Sequence, residues 1–121
     1  MTWVDLAATL AGGFIGAIIR YLLSGKLNAH ARIPYGTLLV NLLGCLLIGL
    51  VVGLKLSPSL TFLLGSGVAG ALTTYSTWLK EIVGLARLQE VGKSSYYLLG
   101  TIVLGIACVY AGYHSAAFFR E

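Results

Sequence analysis

The chain has 121 residues, 58% of them hydrophobic and only 10% charged, with a mean hydropathy of +0.90 and a net charge of +4. A water-soluble domain carries about a quarter charged residues, so this composition excludes an ordinary soluble fold and points to lipid as the solvent. The basic residues are scattered at the ends of apolar segments, a pattern that serves lipid headgroups and membrane topology rather than nucleic acid.

Four apolar segments follow in chain order, at about 3–23, 36–54, 60–79 and 96–119. Each has about the 20 residues that a helix needs to cross a ~30 Å hydrocarbon core. Short connectors with Pro34, with Pro58 and over 80–95 hold most of the charge. The expectation is one all-α membrane domain over 1–121 with four transmembrane helices. The first segment lacks a basic leader, carries Asp5 near its start and is too long for a signal peptide's apolar core.

In the first segment Ala8, Gly12 and Gly16 lie four apart, and Gly49 with Gly53 and Ser66 with Gly70 repeat the spacing. Small residues so placed let helix backbones approach closely. Four helices this small do not enclose a polar path alone, so a dimer or larger assembly is expected. Arg20, followed by Tyr21 near the end of this segment, has snorkelling to the interface as its ordinary role. In the second segment Asn41 places an amide among apolar residues. It is either glue between helices or an uncharged donor to a permeating anion.

The third segment contains Gly67-Val68-Ala69-Gly70-Ala71-Leu72-Thr73-Thr74-Tyr75-Ser76-Thr77-Trp78. Five hydroxyls and two glycines in lipid favour a break in the helix near its middle, where freed carbonyls bind a cation and hydroxyls or N–H groups serve other ligands. The alternative is a continuous helix with Thr and Ser bonding back to carbonyls one turn earlier. The fourth segment holds His114 near its end, read as interfacial. Cys45 and Cys108 are read as small packing residues with no metal-ligand spacing.

Enzyme chemistry is not expected. Asp5, Glu81, Glu90 and Glu121 all lie at segment ends or in connectors, and His30 lies in a connector. Catalysis needs acids, bases or a nucleophile with a base nearby. The glycine run from Gly65 to Gly70 lacks a preceding strand, so it is no dinucleotide site. Small multidrug-type transporters depend on a membrane carboxylate, which is missing here.

Together, Gly12-Gly13-Phe14-Ile15-Gly16-Ala17-Ile18-Ile19-Arg20-Tyr21, then Pro34-Tyr35-Gly36-Thr37-Leu38-Leu39-Val40-Asn41, then the third-segment run, resemble the Fluc (CrcB) family of small fluoride channels. The motifs stand in family order and cover nearly the whole chain. The resemblance implies an antiparallel, inverted-topology dimer with two narrow pores along the subunit interface. It also implies a structural Na⁺ held at the dimer interface by the backbone carbonyls of Gly70 and Thr73 from both chains. The family's pore asparagine falls on Asn41. Its two pore aromatics, usually Phe, fall on Tyr75 and Trp78, whose ring edges face an anion weakly. Ser76 and Thr77 add hydroxyls beside them. Tyr97, Thr101 and Gly105 occupy roughly the place of a polar track in the fourth helix. Gly12, Gly16 and Arg20 are expected to be structural. Ala71 stands where a glycine usually accompanies Gly70.

The resemblance implies passive export. HF enters the cell and dissociates, and the membrane potential drives trapped F⁻ out, lowering fluoride toxicity. A second reading is a non-conducting or half-active partner subunit in a heterodimeric channel. Arg20, Lys26, Arg32, Lys80, Arg87 and Lys93 fall on one side of the membrane, against Lys55 and Arg120 on the other. The positive-inside rule then sets both termini outside a plasma (inner) membrane. A chain so biased in an antiparallel pair calls for a homologous second subunit rather than a second copy of itself. The expected partners are thus fluoride, the bilayer and that subunit, with no nucleic acid.

Overall fold

A computed structural model describes residues 1–28 and 33–120 of the chain. His30 and Arg32 of the first connector and Glu121 lie outside the described residues. The described residues are helical, with no strand. In order they form α1 (Trp3–Asn28), α2 (Tyr35–Leu54), α3 (Pro58–Thr61), a π-helix (Phe62–Ala69), α4 (Gly70–Leu72), α5 (Ser76–Arg87) and α6 (Val91–Arg120). Among the described residues, three stretches are long and apolar enough to cross a membrane: Trp3–Leu27, Tyr35–Leu54 and Val91–Arg120. The third predicted segment is not a continuous helix. It is a relay of short pieces with an extended step between α4 and α5.

Local chemistry sets the helix ends. At the start of α1, the Asp5 N–H donates to Thr2 Oγ1 (3.2 Å) and the Thr2 backbone N–H donates to the Asp5 carboxylate (3.0 Å). This reciprocal pairing satisfies donors that the first turn leaves open. Ser59 Oγ also donates to Asp5 (3.2 Å), which ties that turn to the start of α3. At α3, Pro58 occupies the first turn and the Ser57 hydroxyl accepts from the Leu60 N–H.

α2 ends at Lys55, whose φ of 50° and ψ of 54° are left-handed. That conformation favours glycine. Lys55→Gly is expected to raise stability by about 0.5–1 kcal/mol, read as a higher midpoint of thermal unfolding in detergent.

Two helices run past the ends expected from composition. α1 continues to Asn28, because 24–28 contain no proline and Leu27 extends the apolar run. The connector placed at 80–95 is mostly helix. α5 continues to Arg87 and α6 begins at Val91, with Gln89 at φ 61° making the turn. The charges of Lys80, Glu81 and Arg87 hide an amphipathic pattern. Trp78, Glu81, Ile82 and Leu85 follow the i, i+3, i+4, i+7 spacing of one helix face.

The helices pack as two parallel pairs joined through α1 and α2. α1 lies along the π-helix and α2 along α6. A Cβ at Gly12 would collide with the Leu63 carbonyl oxygen, and one at Gly16 with that of Val68. Gly49 meets the Val109 carbonyl, and Gly112 meets that of Leu46, in the same way. The expected stripe of Ser66 and Gly70 is different. Both face out of the chain, and buried Gly67 makes the approach to Gly12 instead.

Candidate functional site

The site is built around the break. α4 ends at Leu72, and Thr73 turns extended (φ −82°, ψ 157°). Two helical donors are diverted there. The Thr74 N–H, which a continuous helix would aim at the Gly70 carbonyl, donates to Asn41 Oδ1 at 2.8 Å. The Thr77 N–H, due to the Thr73 carbonyl, donates to Thr74 Oγ1 at 3.3 Å. Gly70 and Thr73 are therefore carbonyls released from their helical partners.

Asn41 grips the break with both ends of its amide. Besides accepting from Thr74 N, its Nδ2 donates to the Thr74 carbonyl at 3.1 Å. This is glue between helices, and it leaves one N–H of the amide uncommitted. Thr73 rests against α2 as well, since a Cβ on Gly44 would strike its Cγ2. Arg20 does more than snorkel: its Nη1 donates to the Thr73 carbonyl at 3.4 Å. Thr73 Oγ1 and Thr101 Oγ1 bond back to carbonyls one turn earlier, at 2.9 and 2.7 Å.

Carbonyl oxygens suit a hard cation such as Na⁺. The released carbonyls of Gly70 and Thr73 fit that donor set. Gly70 is exposed, and the Thr73 oxygen keeps a second lone pair beside the Arg20 contact.

A second polar layer closes the space between α2, α5 and α6. Thr37 Oγ1 donates to Glu81 Oε2 at 3.1 Å, and Tyr97 OH donates to Glu81 Oε1 at 3.2 Å. Thr37 is 0% and Tyr97 2% exposed. Ser94 Oγ donates to the Ile82 carbonyl at 2.9 Å and pins the start of α6 to α5. From this layer each helix steps one turn toward the break: Thr37 to Asn41, Glu81 to Trp78, Tyr97 to Thr101. Three helices thus place polar groups in two successive levels.

The predicted site residues divide into two sets. Asn41, Trp78, Tyr97 and Thr101 belong to these inner levels. Tyr75, Ser76 and Thr77 are exposed on the outer surface beside the break, with Tyr75 70% exposed. The Tyr75 and Trp78 rings lie 5.9 Å apart, tilted by 49°. A hollow of about 270 Å³ opens between the end of α1 and the break, lined by Arg20, Tyr21, Ser24, Thr74 and Thr77 among others. A Cβ at Gly105 would stand 3.4 Å from Cys45 Sγ, and the glycine offers no side-chain donor.

Glu81 and Thr37 are the residues that sequence reasoning missed. By composition Glu81 reads as a connector carboxylate. The helical spacing through Trp78, Glu81 and Leu85 was the signal that could have placed it on an inward face. The Thr37–Asn41 and Tyr97–Thr101 spacings were the signals for its partners.

Apolar helices long enough to span a bilayer, packed with a relay of short helices that carries a clamped polar break, define a multi-pass helical membrane protein with its polar chemistry at the break. The comparisons with known proteins narrow that class. The family described as "CrcB-like protein, Camphor Resistance (CrcB)" matches residues 7–113, and the chain belongs to it. Among its relatives is a protein of Chlorobium phaeobacteroides named "Fluoride-specific ion channel FluC". It is 45% identical over 108 residues, 84% of each chain. A protein of the same name from Methanopyrus kandleri is 43% identical, over 93% of this chain and 88% of its own length. "Fluoride-specific ion channel FluC 2" of Rhodococcus jostii is 40% identical, over 84% of this chain and 90% of its own.

Proposed function

We propose that this chain is a subunit of a fluoride-selective channel, a conductor and not an enzyme, embedded in the plasma membrane with both termini outside. The observation that carries this is the coincidence of two facts. Relatives that are 40–45% identical over most of the chain are named fluoride-specific channels. The polar groups of this chain gather at the break and the two levels beside it.

Fluoride is small and holds its hydration shell tightly, so a selective path must supply donors in place of water. The uncommitted N–H of Asn41, the Ser76 and Thr77 hydroxyls and the Tyr75 and Trp78 rings are the groups for that path, with Tyr97 and Thr101 along its inner wall. Arg20 beside the outer hollow raises the local anion concentration. Flow is passive electrodiffusion. The assembly is an antiparallel dimer, and the Lys/Arg asymmetry favours a homologous second subunit. Na⁺, held by the Gly70 and Thr73 carbonyls of both subunits, supplies a fixed positive charge between them.

The test is ion efflux from liposomes holding this chain alone, read with fluoride and chloride electrodes. Fast F⁻ efflux without Cl⁻ leak, insensitive to collapse of a proton gradient, is the expected result for a conducting pair of this chain. No flux alone but F⁻ flux on co-reconstitution with a homologous subunit is the result for a heterodimer. Absence of F⁻ flux in both overturns the reading.

A further inference from the structure

The indole of Trp78 holds an unmatched donor. Its Nε1 is a buried side-chain nitrogen with no hydrogen-bond partner among the described residues. Buried N–H groups are almost always paired, so an orphan calls for an explanation, an ion or a water among them. An indole N–H donates and never accepts, so whatever completes it is an acceptor.

The position of this donor is specific. Trp78 stands one turn toward the break from Glu81 on the inward side of α5, and Glu81 is fixed by Thr37 and Tyr97. None of the polar neighbours at its level comes within hydrogen-bond reach of it. Asn41 accepts from and donates to the Thr74 backbone. Thr101 donates to the Tyr97 carbonyl. The level therefore presents the Trp78 N–H and the spare Asn41 N–H with no acceptor in reach of the indole, which is the complement of an anion.

We infer that the Trp78 Nε1–H donates a hydrogen bond directly to fluoride as it passes, a contact that a phenylalanine at this position could not make. The inference rests on the proposed channel function and adds a specificity-determining group to it. A hydrogen bond to an anion strengthens with the anion's charge density, so the donor favours fluoride over chloride.

Two measurements test it. Trp78→Phe keeps an aromatic ring and removes the donor. It is expected to slow F⁻ efflux from liposomes about tenfold, the effect of one charge-assisted hydrogen bond, and to narrow the preference for F⁻ over Cl⁻. The second uses ¹⁵N-labelled chain in bicelles. The chain has two tryptophans, so Trp3→Phe leaves a single indole resonance, that of Trp78. Its indole proton is expected to move downfield and saturate with NaF, and to stay in place with NaCl.

Equal movement with both salts, or none with either, overturns the inference even if Trp78→Phe slows flux; the ring would then act by packing. Unchanged flux and selectivity in a folded Trp78→Phe protein overturns it as well. If the parent chain carries no fluoride, the channel reading falls separately, and the indole titration still decides whether Trp78 binds the ion.

Discussion

Asn41→Ala is expected to abolish measurable fluoride efflux, a loss of at least about 100-fold, and to lower the stability of the folded chain. The amide holds the break from both sides, accepting from the Thr74 N–H and donating to the Thr74 carbonyl. Alanine leaves both backbone groups without a partner where water is scarce. Each such group costs about 1–3 kcal/mol, so the break collapses or refolds toward helix and the Gly70 and Thr73 carbonyls return to helical donors. Asn41→Asp separates the two roles of the side chain. A carboxylate still accepts from Thr74 N–H but faces the Thr74 carbonyl with a second acceptor and adds a negative charge beside an anion path. It should retain more stability than alanine and conduct no better. Liposome efflux and unfolding in detergent, measured on both variants, read the two effects apart. Near-parental flux in a folded Asn41→Ala protein would remove the clamp from the argument.

Gly12→Leu is expected to be the most damaging single change in the first helix, costing at least about 3 kcal/mol, with loss of folded protein from detergent extracts. The reason is rigid. A Cβ at Gly12 meets the Leu63 carbonyl oxygen, and the Gly67 Cα lies 3.0 Å away. Both are backbone atoms and neither can rotate aside. Gly13 is the control, because a Cβ there meets nothing within 4 Å. Gly13→Ala should leave the fold intact and gain up to about 1 kcal/mol from better helix propensity. Adjacent glycines of the same helix thus carry opposite expectations. A monodisperse Gly12→Leu protein with the parental unfolding midpoint would show that α1 does not lie where it is described.

The helical character and the break were legible in the sequence for different reasons. Length and apolar content suffice for helices in lipid, because no other open backbone arrangement is tolerated there. The break was signalled by hydroxyls and glycines crowded from Gly67 to Thr77. Three features escaped. The π-helix at Phe62–Ala69 has no signature in a reading that looks for a period of 3.6. The continuation of α5 to Arg87 was masked by Lys80, Glu81 and Arg87, which resemble a connector by composition and a helix face by spacing. The Thr37–Glu81–Tyr97 layer joins residues from three helices, and a linear sequence does not announce such meetings. Asn41 was visible as an anomaly, but its exchange with the Thr74 backbone needed coordinates.

The order in which the ribosome delivers these residues matters to how the protein is made. The groups that clamp the break, Arg20 and Asn41, lie in helices already synthesised when Thr73 and Thr74 emerge. The third helix is the one that cannot enter lipid alone, since its freed backbone groups would go unbonded, and it arrives after both of its partners. Glu81 is in the reverse situation. Thr37 is waiting for it, but Tyr97 is delivered only with α6. The last helix therefore acts as the closing step of biogenesis, and a nascent chain halted before Tyr97 should hold the break in place while the Glu81 end of α5 stays unseated.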